Sequence, residues 1–169
     1  MTHYLLVDGY NVIHANAALS GIAADSVDLA RTKLCDALCE FRALSQYKII
    51  VVFDAHLVPG GVENSQNYRG ITVVFTREAE TADAYIERAA HTKKNVRITV
   101  ATSDALEQII VVGQGATRIS AEDLWTQIEK TRAEVLARYE KTRPIKKNPI
   151  EIFLDEKTAK RLDEMRYEK

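Results

Sequence analysis

HYLLVDGYN, residues 3 to 11, runs four apolar residues, Tyr4 to Val7, into an aspartate and a glycine. An apolar run of this length closed by a turn signal reads as a short buried strand over residues 4 to 8, with Gly9 opening a tight turn. A carboxylate at the end of such a strand is costly to bury alone, so Asp8 is expected to meet water, a metal, a cation or a backbone N–H. Three later segments repeat the placement. VVFDAH at 51 to 56, ETAD at 80 to 83 and ATSD at 101 to 104 each set an acid where a strand ends or a helix begins.

Outward from this strand the pattern alternates. Ala30, Leu34, Ala37, Leu38, Phe41 and Leu44 form a helical stripe that predicts a helix over 27–44, capped by Asp25 or Ser26. KIIVVF at 48–53 is a second buried strand ending at Asp54, which makes a strand–helix–strand unit with a parallel connection. Residues 56–70 are rich in Pro, Gly, Asn and Ser without periodicity and read as a flexible surface loop. Then follow a strand at 71–76, a helix at 79–92, a strand at 96–101, a helix at 104–111, a tight connection at Gly113 to Gly115 and a short strand at 116–119. Ser120 with Asp123 resembles a capping pair for a long helix reaching 142.

Five strands alternating with helices predict an α/β fold: a three-layer α/β/α sandwich with a mostly parallel sheet, which binds ligands at the carboxyl ends of its strands. Residues 1–143 form that domain. Residues 144–169 are an extension, in which Pro144 and Pro149 bracket a basic linker and 155–167 form a charged helix.

At 169 residues with 46% apolar side chains the chain is long enough for a full core. No stretch approaches the roughly eighteen apolar residues of a membrane span, and no signal-peptide run opens the chain, so a cytoplasmic location and no membrane partner are expected. Cys35 and Cys39, four apart on a helix, suit neither a disulfide nor a complete zinc site and read as small buried hydrophobes. A formal charge of −1 gives no global attraction to nucleic acid. Locally, residues 129 to 148 hold seven Lys or Arg against three Glu. Within this patch Arg138, Lys141, Arg143, Lys146 and Lys147 are the candidate nucleic-acid contacts.

Parallel strands bring Asp8, Asp54 and Asp104 out on one sheet edge, and Glu80 and Asp83, three apart in a first helical turn, share a face that can reach it. Several carboxylates at close quarters repel one another, and a divalent cation relieves this. Oxygen donors without His or Cys point to Mg²⁺ or Mn²⁺, which suits phosphodiester hydrolysis. Asn11 and Ser103 are uncharged neighbours able to orient a water or a phosphate oxygen. Each group also has a plain structural reading. Asp104 can cap its helix, with Glu107 three residues on; Asp83 gains from the helix dipole; Asp54 can bond its loop. His56 reads as a solvated loop residue, the basic segment as a solvated helix face, and Tyr10, Tyr68 and Tyr85 as core rings rather than base-stacking platforms.

LLVDGYNVI, VVFDAHLV, FTREAETADAYIE, VATSDALEQ and GQGATRISAEDL, in this order, resemble the YacP-like branch of the NYN domains, relatives of the PIN-domain nucleases. The resemblance runs from Tyr4 to at least Leu124. It implies a metal-dependent endoribonuclease with a PIN-like sheet, in which Asp8, Asp83 and Asp104 match the acidic metal-holding positions, Asn11 the Asn of the DGYN motif and Asp54 the Asp of the FDA motif. It also implies messenger RNA as substrate, the ribosome as partner and no organic cofactor. A non-catalytic RNA- or ribosome-binding module on the same fold is the competing reading. A phosphoacceptor receiver, for which Asp8, Asp54 and Thr102 sit near successive strand ends, would need adjacent acids at the first strand end and a Lys at the last; a two-aspartate phosphatase would need an acid where Tyr10 stands.

Overall fold

The computed structural model describes residues 2–54, 63–77, 80–92, 96–103 and 116–142. They form β1 (His3–Asp8), α1 (Gly9–His14), α2 (Ala17–Asp25), α3 (Val27–Leu44), β2 (Tyr47–Phe53), β3 (Asn64–Tyr68), β4 (Ile71–Phe75), α4 (Ala82–Thr92), β5 (Arg97–Ala101), β6 (Thr117–Ile119) and α5 (Ala121–Thr142). The chain divides into two compact units, Met1–Glu134 and Val135–Lys169, with the boundary inside α5. Among the described residues no helix is long and apolar enough to cross a membrane.

The six strands lie in the order β3-β4-β2-β1-β5-β6. All neighbours are parallel except β3 and β4. β1 is central, with His3–Asp8 opposite Tyr47–Val52 on one side and His3–Val7 opposite Arg97–Ala101 on the other. Successive strand residues point to opposite faces, and both faces are dry. Leu5, Val7, Val51, Phe53 and Val73 pack with α1, α2, α3 and Ala121, Leu124 and Ile128 of α5. Leu6, Val52, Val74 and Val100 pack under Ala82 and Ile86 of α4. These are the three expected layers.

α3 has the predicted bounds because Ser26 Oγ accepts the Leu29 N–H at its start, while Ala30, Leu34, Leu38 and Phe41 turn inward. α5 begins as predicted, with the Ser120 Oγ accepting the Asp123 N–H. Cys35 and Cys39 are free thiols, and burial pushes the Cys35 thiol up to about 12. That leaves it a packing residue.

Two expectations fail. The segment read as a loop over 56–70 contains β3, so the sheet has six strands, not five. Asn64–Tyr68 is polar and exposed on the sheet's edge, so no apolar alternation marks it. Its pairing comes from the turn: Arg69 and Gly70 both take positive φ, 48° and 93°, which is the two-residue hairpin geometry. Secondly, Gly9 opens no turn. It is the first residue of α1, and α2 follows, two short helices whose sequences carry no clear apolar stripe. The predicted helix at 104–111, the Gly113–Gly115 connection, His56, the linker and the C-terminal helix lie outside the described residues.

Gly9 is fixed by contact, since a Cβ there would strike the Phe53 ring. Gly21, inside α2, has nothing near it. Gly9→Ala should therefore lower stability by about 1–3 kcal/mol, the scale of core overpacking, whereas Gly21→Ala should raise it by roughly 0.4–1 kcal/mol through reduced unfolded-chain entropy. Thermal unfolding of both variants checks this; equal shifts would contradict the packing argument.

Candidate active site

β1 pairs with β2 on one side and with β5 on the other, so the strand order switches direction at its carboxyl end. In open α/β sheets the crevice at that point is where ligands bind. Asp8 is the residue there. It lies opposite Val52, two residues before Asp54, and the backbone partner of Val7 on the other side is Ala101, two residues before Ser103.

Asp8 is partly buried and caps α1, its Oδ1 accepting the Asn11 N–H at 3.1 Å. A cap bond to the carboxylate favours the charged form, but desolvation outweighs it here. Burial first, then the charges of Asp83 and Asp54, push the Asp8 carboxyl from 3.8 to about 6. Asp8, Asp83 and Asp54 therefore share one electrostatic neighbourhood. Asp83 reaches it from the first turn of α4, which packs beside β1 and β2, and its side chain is exposed. Asp54 follows β2 directly and is half-buried.

Asn11 and Ser103 tie the edge together. Asn11 Oδ1 accepts the Ser103 backbone N–H at 2.8 Å, so the start of α1 is bolted to the end of β5. The Ser103 hydroxyl donates to Glu122 Oε2 at 2.9 Å and accepts the Ala121 N–H at 3.1 Å, fixing the start of α5. These bonds make both residues positioning groups for the edge, a role their sequence neighbours did not reveal. Asp104, the residue after Ser103, lies outside the described residues.

Glu80 departs from expectation. α4 starts at Ala82, so Glu80 precedes the helix and the shared-face argument with Asp83 does not hold. Its carboxylate is buried and ion-paired, Oε1 with Arg88 Nη2 at 3.0 Å and Oε2 with Arg77 Nε at 3.3 Å. Two guanidiniums make it an anchor for the approach to α4. Arg138 is exposed on α5; Lys141 lies in the same helix, and Arg143, Lys146 and Lys147 fall outside the described residues. Of the tyrosines, Tyr68 donates to Asp36, Tyr85 lies 5.1 Å from the Arg88 guanidinium, and Tyr10 is edge-on to Phe53.

Among the described residues no three His, Cys, Asp or Glu are gathered closely enough to hold a metal by themselves. The acids whose like charges act on one another here are Asp8, Asp83 and Asp54, and the chemistry of such oxygen donors suits a hard divalent cation, Mg²⁺ or Mn²⁺. Without one, the strained acid has a stability signature. The folded chain holds the Asp8 proton more tightly than the unfolded chain, so its ionisation costs stability; the cost is absent below about pH 4, grows from there to about pH 6 and is complete above. Asn caps a helix about as well as Asp. In chelator, Asp8→Asn should therefore be more stable than the parent at pH 8 by on the order of 2 kcal/mol, and the two should converge near pH 4. Urea unfolding at both pH values checks this, and a gap independent of pH would contradict it.

A sequence profile of the YacP-like NYN domain matches residues 5–167. The YacP protein of Bacillus subtilis (strain 168) is 42% identical over 139 residues, which is 81% of this chain and 81% of that protein. The crystal structure of Rae1 (YacP) from Bacillus subtilis matches with a TM-score of 0.71 at 39% identity, covering 96% of this chain and 94% of that one. A point mutant of the same protein matches at 0.72 and 39%, covering 85% and 86%. With its mostly parallel sheet, its acids at the carboxyl edge of β1 and β2 and these relatives, the chain belongs to the YacP-like NYN domain family, whose fold is nuclease-like and PIN-like.

Proposed function

We propose that this chain is a divalent-metal-dependent endoribonuclease that cleaves messenger RNA in association with the ribosome. The observation that carries the reading is Asp8 itself, partly buried at the switch point of the sheet and within the field of Asp83 and Asp54, whose like charges add to burial in pushing its carboxyl up. NYN domains are generally nucleases that use divalent metals, and this edge has the donors for one. Asp8, Asp83 and Asp104 would hold Mg²⁺ or Mn²⁺. Such an ion, when bound, supplies charge stabilisation and an activated water for phosphodiester hydrolysis.

The chain's own residues do the rest. Asp8 and Asp83 present negative charge from two different elements, so the cation's position is set by the packing of α4 against β1. Asn11 and Ser103 hold α1 against the end of β5 and the start of α5, and Asp54 keeps the neighbouring wall anionic. Ribosome association rests on the family resemblance, and RNA contact on the basic segment of Arg138, Lys141, Arg143, Lys146 and Lys147.

Purified protein, alone and with ribosomes translating a test message, should cut RNA in Mg²⁺ or Mn²⁺ and stop in chelator. Asp8→Asn should lower cleavage by at least about a hundredfold, the scale of losing one electrostatic stabiliser of the transition state, with RNA association retained. Persistent cleavage in the variant would remove Asp8 from the chemistry; association without cleavage in either setting would assign the chain to the non-catalytic module. Neutralising the five basic residues should weaken association most at low salt, as counterion release requires.

A further inference from the structure

Beside the acidic edge lies an open cavity of about 550 Å³ that the hydrolytic reading leaves without a role. One wall is α1, contributing Tyr10, Ile13 and His14; the opposite wall is α2 and the start of α3, contributing Ala23, Ala24 and Val27. Asp54 and Ser20 also line it. We propose that this cavity seats one unstacked base of the RNA strand, next to the phosphate engaged at Asp8. The inference rests on the nuclease reading and adds a substrate contact to it.

Continuity supplies the first argument. α1 begins immediately after Asp8, so the wall that carries Tyr10 grows directly out of the acidic edge. Asp54 belongs to both places, lining the cavity and contributing to the field at Asp8. A strand whose phosphate lies at Asp8 has its adjoining nucleotide at the cavity mouth.

The second argument is chemical. An aromatic ring, Ile13, Val27 and two alanines offer apolar faces, and the carboxylate of Asp54 repels a phosphate while accepting N–H groups from a base edge. A flat neutral ring with a polar rim meets all of these walls. Ala23 and Ala24 are small, which keeps the cavity open. Tyr10 is already fixed: its hydroxyl accepts from Arg31, at 2.9 Å from Nε, its ring is edge-on to Phe53 at 5.4 Å, and the guanidinium lies 5.3 Å from the ring centre. A wall that is rigid before binding loses little freedom when a base docks on it.

The test is photo-crosslinking of the full chain, as Asp8→Asn so that the RNA stays intact, to single-stranded oligoribonucleotides containing 4-thiouridine, with crosslinked peptides mapped by mass spectrometry. Crosslinks should fall in the peptide carrying Tyr10 and His14. Filling the cavity with Ala24→Phe should reduce them by about tenfold, in line with the loss of one stacked base, while total binding by fluorescence anisotropy, dominated by phosphate contacts, changes much less. Ala23→Leu, a smaller filler, gives the same direction of change should Ala24→Phe fold poorly by circular dichroism. Crosslinks confined to other peptides, or undiminished in both filled variants, would overturn the base site and leave the nuclease reading standing. Crosslinks in this peptide from a chain that never cleaves RNA would sustain the base site and overturn the nuclease. Absence of any RNA binding would overturn both.

Discussion

A strand hydrogen-bonded along both edges and covered on both faces gives its side chains access to water only at its ends, and β1 is such a strand. Its interior therefore has to be apolar on alternate and intervening positions alike, as Leu5, Leu6 and Val7 are. Its carboxyl end is the first place where a polar group can stand. Because the chain turns one way from β1 to β2 and later adds β5 on the other side, that end opens into a crevice rather than under a crossover. The acidic edge depends on this one placement: move β1 to the rim of the sheet and Asp8, Asp54 and Asp83 no longer share a neighbourhood.

The edge is held at some cost to stability. Asp8 is retained where burial and two like charges oppose its ionisation, although its cap bond to Asn11 offsets part of that cost. Around it the structure is tightly tied. Gly9 lets α1 approach Phe53, Asn11 links α1 to Ser103, and Ser103 in turn caps α5. Trp125 of α5 donates to the Val12 carbonyl at 2.8 Å, closing the loop of contacts back onto α1. A destabilised carboxylate on rigid supports is the combination that the proposed cation site requires.

Arg31 shows how an unremarkable sequence position acquires a role through packing. Its guanidinium lies within 6 Å of the rings of Tyr10, Phe53 and Phe75 and pairs with Asp28 at 2.6 Å. Few sequence signals foretell such a cage, because its rings come from α1, β2 and β4. The same limit explains the cavity beside Asp54, whose walls come from residues 10 to 14 and 20 to 27 folded face to face.

Long elements with strong periodicity were legible in the chain itself: the apolar runs of β1, β2, β4 and β5, the striped α3 with its serine cap, and the capped start of α5. So was the placement of Asp8 and Asp54 at strand ends, since a short buried strand has only two places for a charge. β3, α1 and α2 were not legible, because an exposed edge strand needs no apolar face and helices of six and nine residues draw their stability from the core they cover rather than from their own pattern. Glu80 was misread for a related reason: a helix start three residues later than the predicted one changes which side chains share a face, and the ion pairs that claim Glu80 come from Arg77 and Arg88 in the fold. Local sequence thus determined the long, strongly periodic strands and helices and the placement of Asp8 and Asp54 at strand ends. Only the tertiary structure decided which of those charges meet, because strand order is set by long-range pairing energies that no short window of residues contains.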